Sequence, residues 1–260
     1  MFDTISMKGV KALITAGGSG LGLEMARVFT AAGSEVFICD INKEALATAT
    51  AELPKLHAMI ADVSDEASVA ALFEQVRAQF GGLDVLVNNA GIAGPTGFVE
   101  TLAKADWDKT LAVNITGQFL CARLAIPLLK QSNAGVIINM SSAAGHLGFA
   151  GRAAYAASKW AVVGFTKTLA IELGRFGVRV NAILPGAVEG PRIRAVIASK
   201  AQAMGIPNQE LTQSYEQQAS LGRMVSARDI ANMALFAASP AAASVNGQAL
   251  AVDGHTQALV

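Results

Sequence analysis

Two hydrophobic patterns alternate along the chain. Short, nearly unbroken apolar runs recur at Lys11–Ile14, Glu35–Cys39, Leu56–Ala61, Asp84–Val87, Val136–Asn139, Arg179–Leu184 and Ala249–Val252. Runs of this kind, without alternation, predict strands covered on both faces. Longer stretches between them carry apolar residues three and four apart, which predicts helices with one buried face. The first has Leu21, Met25, Val28 and Phe29 and closes at Gly33; the second spans Asn42 to Ala51. The third has Val69, Leu72, Phe73 and Val76, ends at Gly81-Gly82, and has Ser64 as its expected N-cap with Asp65 and Glu66 in the first turn. Further helices are predicted over Trp107–Leu129, Trp160–Leu173 and Ala227–Ala238. Strand and helix in regular succession predict an α/β fold: a doubly wound parallel sheet of about seven strands with helices on both faces. With no internal repeat and no low-complexity linker, residues 1–260 are expected to form a single domain.

Polar and glycine residues interrupt this pattern just after the strands, where ligands gather in such sheets. The first strand runs into Thr15-Ala-Gly-Gly-Ser-Gly-Leu-Gly22 and then a helix. Strand, glycine turn and helix is the context of a dinucleotide site: the glycines admit a pyrophosphate and the helix N-terminus offers it free N–H groups. A plain strand-to-helix turn is the competing reading. Asp40 ends the second strand, 20 residues after Gly20 and 18 after Gly22. An acidic residue at that distance bonds the adenosine ribose of NAD and repels the extra phosphate of NADP. No Arg or Lys lies in the turn or after Asp40 before Lys43, so the expected cofactor is NAD(H) rather than NADP(H). Asp40 as a cap for the next helix is compatible with that role.

Between the fifth strand and a long helix lies Ser142 to Lys159. Tyr155 and Lys159 are four apart, on one helical face. An ammonium beside a phenol favours the phenolate, and a phenol so tuned can exchange a proton with an alcohol or carbonyl oxygen. Taken alone, the pair reads equally as an ordinary amphipathic contact.

Composition narrows the function. Hydrophobic residues make up 52% of the chain, enough for a sizeable core, and Lys plus Arg balances Asp plus Glu at 20 each. Neutrality argues against nucleic-acid or anionic-membrane partners. Cys39 and Cys121 lie far apart in apolar contexts and fit a reducing compartment. No signal-peptide pattern and no 18-residue apolar run is present, so the expectation is a cytoplasmic protein without a membrane span. The three histidines, His57, His146 and His255, are scattered, and no metal site is expected.

The chain as a whole resembles the classical short-chain dehydrogenase/reductases, enzymes with a single-domain Rossmann fold. The motifs that carry the resemblance, in order, are Thr15–Gly22, Asp62-Val63, Asn88-Asn-Ala-Gly91, Asn114, Ser142, Tyr155-x-x-x-Lys159, Pro185-Gly186 and Val252-Asp-Gly254. One position departs: the family's turn usually begins Thr-Gly, and here Ala16 follows Thr15, so its methyl is expected to crowd the diphosphate side and shift the turn slightly. The resemblance implies that Tyr155 is the general acid/base and that Lys159 lowers its pKa and holds the nicotinamide ribose. It implies that Ser142 orients the substrate oxygen and that Asn114 binds a relay water. Gly18, Ser19, Gly20 and Leu21 would cradle the diphosphate, Asp40 the adenosine ribose, Asp62 and Val63 the adenine. Asn89, Ala90 and Gly91 would line the cofactor, and Val188 would meet the carboxamide.

By the same resemblance, residues 187–223 would cover the substrate, and His146 and Arg192 are candidate substrate contacts; Arg192 or Arg194 would meet an anionic group, unless both are solvated. The implied activity is hydride transfer between NAD(H) and a secondary alcohol or ketone. The alternatives are a 3-oxoacyl-thioester reductase and a non-catalytic dinucleotide sensor. An enoyl reductase fits less well, because that group spaces its Tyr and Lys more widely. Apolar helices over 114–129 and 153–173 are expected to pair across subunits in a homotetramer or homodimer.

Overall fold

In the structure, a computed structural model that describes residues 5–259, seven parallel strands form one sheet in the order β3-β2-β1-β4-β5-β6-β7. They are β1 (Lys11–Thr15), β2 (Glu35–Asp40), β3 (His57–Ile60), β4 (Val85–Asn88), β5 (Val136–Met140), β6 (Arg179–Pro185) and β7 (Ala249–Val252). The helices are α1 (Gly20–Ala31), α2 (Lys43–Glu52), α3 (Glu66–Phe80), α4 (Lys104–Leu111), α5 (Gly117–Leu129), α6 (Ala153–Gly174), α7 (Pro191–Met204), α8 (Asn208–Gln217) and α9 (Ala227–Ala238).

Successive residues of a strand face opposite sides of a sheet, so one strand feeds two cores. Ala12 and Ile14 of β1 join Met25 and Phe29 of α1 and Ile230 and Ala234 of α9. Leu13 joins Val69, Leu72 and Phe73 of α3, Leu120 and Ala125 of α5, and Leu169 of α6. The doubly wound α/β fold is therefore as the hydrophobic pattern predicts. The order reverses at β1, which pairs with β2 on one side and β4 on the other. A crevice opens at the carboxyl ends of the strands at such a switch point.

Two local expectations change. Asp65, not Ser64, caps α3: its carboxylate accepts the Ala67 N–H, while Ser64 turns back and gives both its N–H and its hydroxyl to Asp62 Oδ1, at 2.8 and 2.6 Å. The helix expected from Trp107 begins at Lys104, aided by a Lys104–Asp108 ion pair, and passes through a π-helical turn at Ala112–Thr116. The span Lys104–Leu129 is long and apolar enough to cross a membrane by length and composition. Its inner side, however, is Leu120, Cys121, Ala125 and Leu129, packed under the sheet as in a core helix.

Candidate active site

The turn between β1 and α1 is built on close approach. A Cβ on Gly22 would stand 2.0 Å from the Ala16 carbonyl oxygen and 2.7 Å from Asn89 Nδ2. Backbone at that distance cannot give way as a side chain tip does. Gly22→Ala is expected to cost about 3 kcal/mol of folding stability and to abolish dinucleotide binding, as read by denaturant unfolding and cofactor titration. Ala16 sits at φ 51°, in the left-handed region, where a Cβ costs roughly 1–2 kcal/mol. Its methyl packs into the layer formed by α3 and α5, so the departure from glycine is met as backbone strain.

Ser19 is the N-cap of α1 but its side chain bonds none of the free N–H groups, and the first turn has no acidic residue. Those N–H groups remain open to a phosphate. Asp40 lies beside them, half-buried. Its Oδ2 accepts the Gly18 N–H at 3.1 Å and its Oδ1 the Asn42 N–H at 3.0 Å. Asn42, not Asp40, caps α2. Asp62 is exposed next to buried Val63, which packs against Gly117. Asn89 ties β4 to the glycine turn, its Nδ2 donating to the carbonyl oxygens of Thr15 (2.9 Å) and Ala16 (3.1 Å). These residues fit a nicotinamide dinucleotide: an uncapped helix end, a turn in which Gly17 and Gly22 leave no room for a Cβ, and a carboxylate beside it.

The second half of the site is held by α6. Tyr155 is half-buried and Lys159, one turn on, is 4% exposed. Lys159 Nζ donates to the Met140 carbonyl oxygen at 2.8 Å and lies 5.7 Å from the Tyr155 ring centroid. A Cβ on Gly91 would be 3.4 Å from this Nζ and 3.2 Å from Asn114 Oδ1. Asn114, Lys159 and the end of β4 thus converge. Burial, and secondarily the charge of Arg192, lowers the Lys159 pKa to about 7. Asn114 is fully buried in the π-helical turn. Its side chain grips Ile92, accepting from the N–H at 2.8 Å and donating to the carbonyl at 3.0 Å, and donates also to Ser158 Oγ. π-Turns of this kind recur at functional sites because they reaim one side chain. Ser142 caps a short 3₁₀ turn, accepting the Ala144 N–H, and its neighbour Ser141 donates to the Lys159 carbonyl at 2.8 Å. That bond fastens the serine corner to the start of α6.

The remaining candidates separate. Val188 bridges to Val225 behind Pro185-Gly186. Ala90 is buried and Gly91 half-buried beside the lysine. Arg192 is exposed and its Nη1 donates to the Gly91 carbonyl at 3.1 Å, whereas Arg194, also exposed, has no side-chain hydrogen bond or ion pair among the described residues. His146 is exposed, with no hydrogen bond to its ring among the described residues, and the His255 ring bonds Ser220. Two further residues lie close by: Arg152, which sequence reading passed over, buried, with Cζ 5.4 Å from the Tyr155 ring centroid, and Tyr215 of α8, within the segment expected to cover the substrate, also buried. The one available signal for Arg152 was its isolation, since no other Lys or Arg occurs between Lys130 and Lys159.

Comparison with known proteins agrees with this geometry. A family model described as enoyl-(acyl carrier protein) reductase matches residues 15–255. Momilactone A synthase of Oryza sativa subsp. japonica is 39% identical over 257 residues, which cover 97% of this chain and 91% of that protein. The crystal structure of levodione reductase superposes with a TM-score of 0.90 at 32% identity, covering 95% of this chain and 97% of that one. A variant of actinorhodin polyketide ketoreductase with NADPH gives the same TM-score at 35% identity, covering 94% and 96%. With the glycine turn, the buried lysine and the tyrosine assembled at the switch point of one parallel sheet, the chain belongs to the classical short-chain dehydrogenase/reductase family.

Proposed function

We propose that the protein is an NAD(H)-dependent oxidoreductase that interconverts a secondary alcohol and its ketone, with Tyr155 as general acid/base. The observation that carries this reading is the convergence of buried Lys159 and Asn114 on Gly91, with the Tyr155 ring 5.7 Å from the Lys159 ammonium on the same face of α6. The bound dinucleotide supplies or accepts the hydride. Tyr155 gives its phenolic proton to the carbonyl oxygen in reduction and takes the alcohol proton in oxidation. Ser142 donates to the same oxygen and fixes its position where charge develops. Lys159 supports the proton exchange of the phenol and links it to the interior, with a water on Asn114 as the expected relay to solvent. The half-exposed carboxylate of Asp40, without a neighbouring cation, supports NAD over NADP; Asp62 and Val63 would border the adenine and Val188 the carboxamide. Residues 187–223, which fold as α7 and α8, would close over the substrate and exclude water.

Outward apolar side chains support a homotetramer or homodimer: Phe119 on α5, with Trp160 (52% exposed) and Ile171 (82%) on α6. The two buried cysteines support a reducing, cytoplasmic setting.

The test is reduction of NAD⁺ and NADP⁺ over sugar alcohols, hydroxy acids, β-hydroxyacyl thioesters and cyclic alcohols. Turnover with NAD⁺ is expected. Asp40→Ser should narrow the preference for NAD⁺ by about 100-fold, because a like charge facing the 2′-phosphate costs several kcal/mol. Turnover of thioesters with NADP⁺ only would overturn the reading in favour of a 3-oxoacyl-thioester reductase. Tight NADH binding with no turnover across the panel would favour a dinucleotide sensor.

A further inference from the structure

Arg152 ends the loop before α6 and is 4% exposed. Its Nη2 donates to the Ala93 carbonyl oxygen at 2.7 Å, and its Cζ lies 5.5 Å from the Phe149 ring centroid as well as close to Tyr155. Its Nε has no hydrogen-bond partner among the described residues. Among the described residues no carboxylate pairs with it; the ionisable groups that act on it are Tyr155, Tyr215 and Arg192. A buried cation without a counter-charge is costly, and proteins seldom keep one without a purpose.

Tyr215 of α8, 3% exposed, lies near enough for its charge state and that of Arg152 to act on each other, and among the described residues its hydroxyl also lacks a partner. Burial raises its pKa, so it remains a protonated donor. Lys200 of α7 adds a second cation, its Nζ 5.2 Å from the Phe149 ring centroid. The two free groups, Arg152 Nε–H and Tyr215 O–H, both donate, and the flanking field is positive. A neutral hydroxyl or amide would answer one donor and leave the charge unpaired. An oxyanion with two or three equivalent oxygens answers both. Arg192 and Arg194, the arginines that sequence reading put forward for this role, are exposed, and Arg192 leans toward Gly91 and Lys159 instead.

We infer that Arg152 and Tyr215 form a seat for an anionic group of the substrate, a carboxylate or sulfonate a few bonds from the reacting carbon. The inference rests on Tyr155 as the reacting acid/base, which fixes where the carbinol end lies. It narrows the substrate class to short hydroxy or oxo acids and their sulfonate analogues.

Binding and turnover test it separately. Butyrate, 1-propanesulfonate and neutral butyramide are titrated calorimetrically into the NADH-saturated protein, whose NADH affinity is measured first for every variant. The anions are expected to bind at least tenfold tighter than the amide, and their order separates carboxylate from sulfonate recognition. Arg152→Gln should weaken anion binding about 100-fold and Tyr215→Phe about tenfold, the losses typical of a charged and a neutral hydrogen bond. In turnover, 3-hydroxybutyrate is compared with 3-hydroxybutyramide; the preference for the acid should collapse in Arg152→Gln, chiefly through KM. Equal binding of anions and amide, or an acid preference that survives Arg152→Gln with NADH still bound, overturns the seat. Anion binding lost in Arg152→Gln, with no alcohol oxidised, keeps the seat and overturns the dehydrogenase reading. Oxidation of neutral alcohols without any anion preference does the reverse.

Discussion

Tyr155→Phe is expected to lower kcat/KM about 10³- to 10⁴-fold, the upper part of what a positioned proton donor contributes, while leaving dinucleotide binding and fold intact. The substitution removes one oxygen. The ring keeps its place, because its structural contacts are with the ring face: Arg152 on one approach at 5.4 Å and Lys159 on another at 5.7 Å from the centroid. No protein group depends on the hydroxyl for a hydrogen bond among the described residues, so its loss orphans nothing. The measurement is steady-state turnover in both directions with a parallel NADH titration. Activity within tenfold of the parent would remove Tyr155 from the proton-transfer step.

Lys159→Met is expected to do two opposite things: to cut turnover by at least 10²-fold, consistent with loss of acid/base support, and to make the cofactor-free protein more stable. Lys159 has an ordinary pKa of 10.5 when unfolded and about 7 when folded, because burial disfavours its charged form. Between those values the unfolded chain holds a proton that the folded chain does not. The Lys159 contribution to stability therefore rises with pH from about 7 to about 10.5 and is flat below, at up to about 1.4 kcal/mol per unit. Relaxation and water entry reduce the total, so the variant should gain about 2 kcal/mol at pH 7, a gap that closes toward pH 10. The one acceptor Lys159 serves, the Met140 carbonyl, keeps the Gln118 amide at 3.2 Å. Urea denaturation across pH 6–10 reads both slopes; parallel slopes for parent and variant would show that Lys159 is not the titrating group.

These two residues were legible in the sequence because a four-residue helical interval already dictates proximity. The strands were legible for a similar reason: Val36–Cys39 is buried on both faces, so it must be apolar throughout. What stayed hidden depends on contacts between distant segments. Ser64 and Asp65 are both good caps, and the choice fell to Asp65 because Asp62 captured Ser64. Asn114 reads as one polar residue in an apolar helix, since a π-turn leaves no mark in a 3.6-residue period. The hydrogen bond from Gly18 to Asp40 joins two strand ends that spacing alone relates only loosely. Arg152 carries no sequence mark of burial; it is buried between its own neighbours Phe149 and Tyr155 and two distant segments, which deliver Ala93 and Tyr215.

The position of β1 inside the sheet, between β2 and β4, has a consequence for synthesis. β1 leaves the ribosome well before its partner β4, which begins at Val85, and before the helix that shields Met25 and Phe29 of α1, α9, which begins only at Ala227. At about 5–20 residues per second, many seconds pass with a central strand edge and an apolar helix face uncovered. A chain interrupted before α9 would carry that surface permanently and would be a strong chaperone client, so soluble yield should track completion of translation more than the stability of the finished fold.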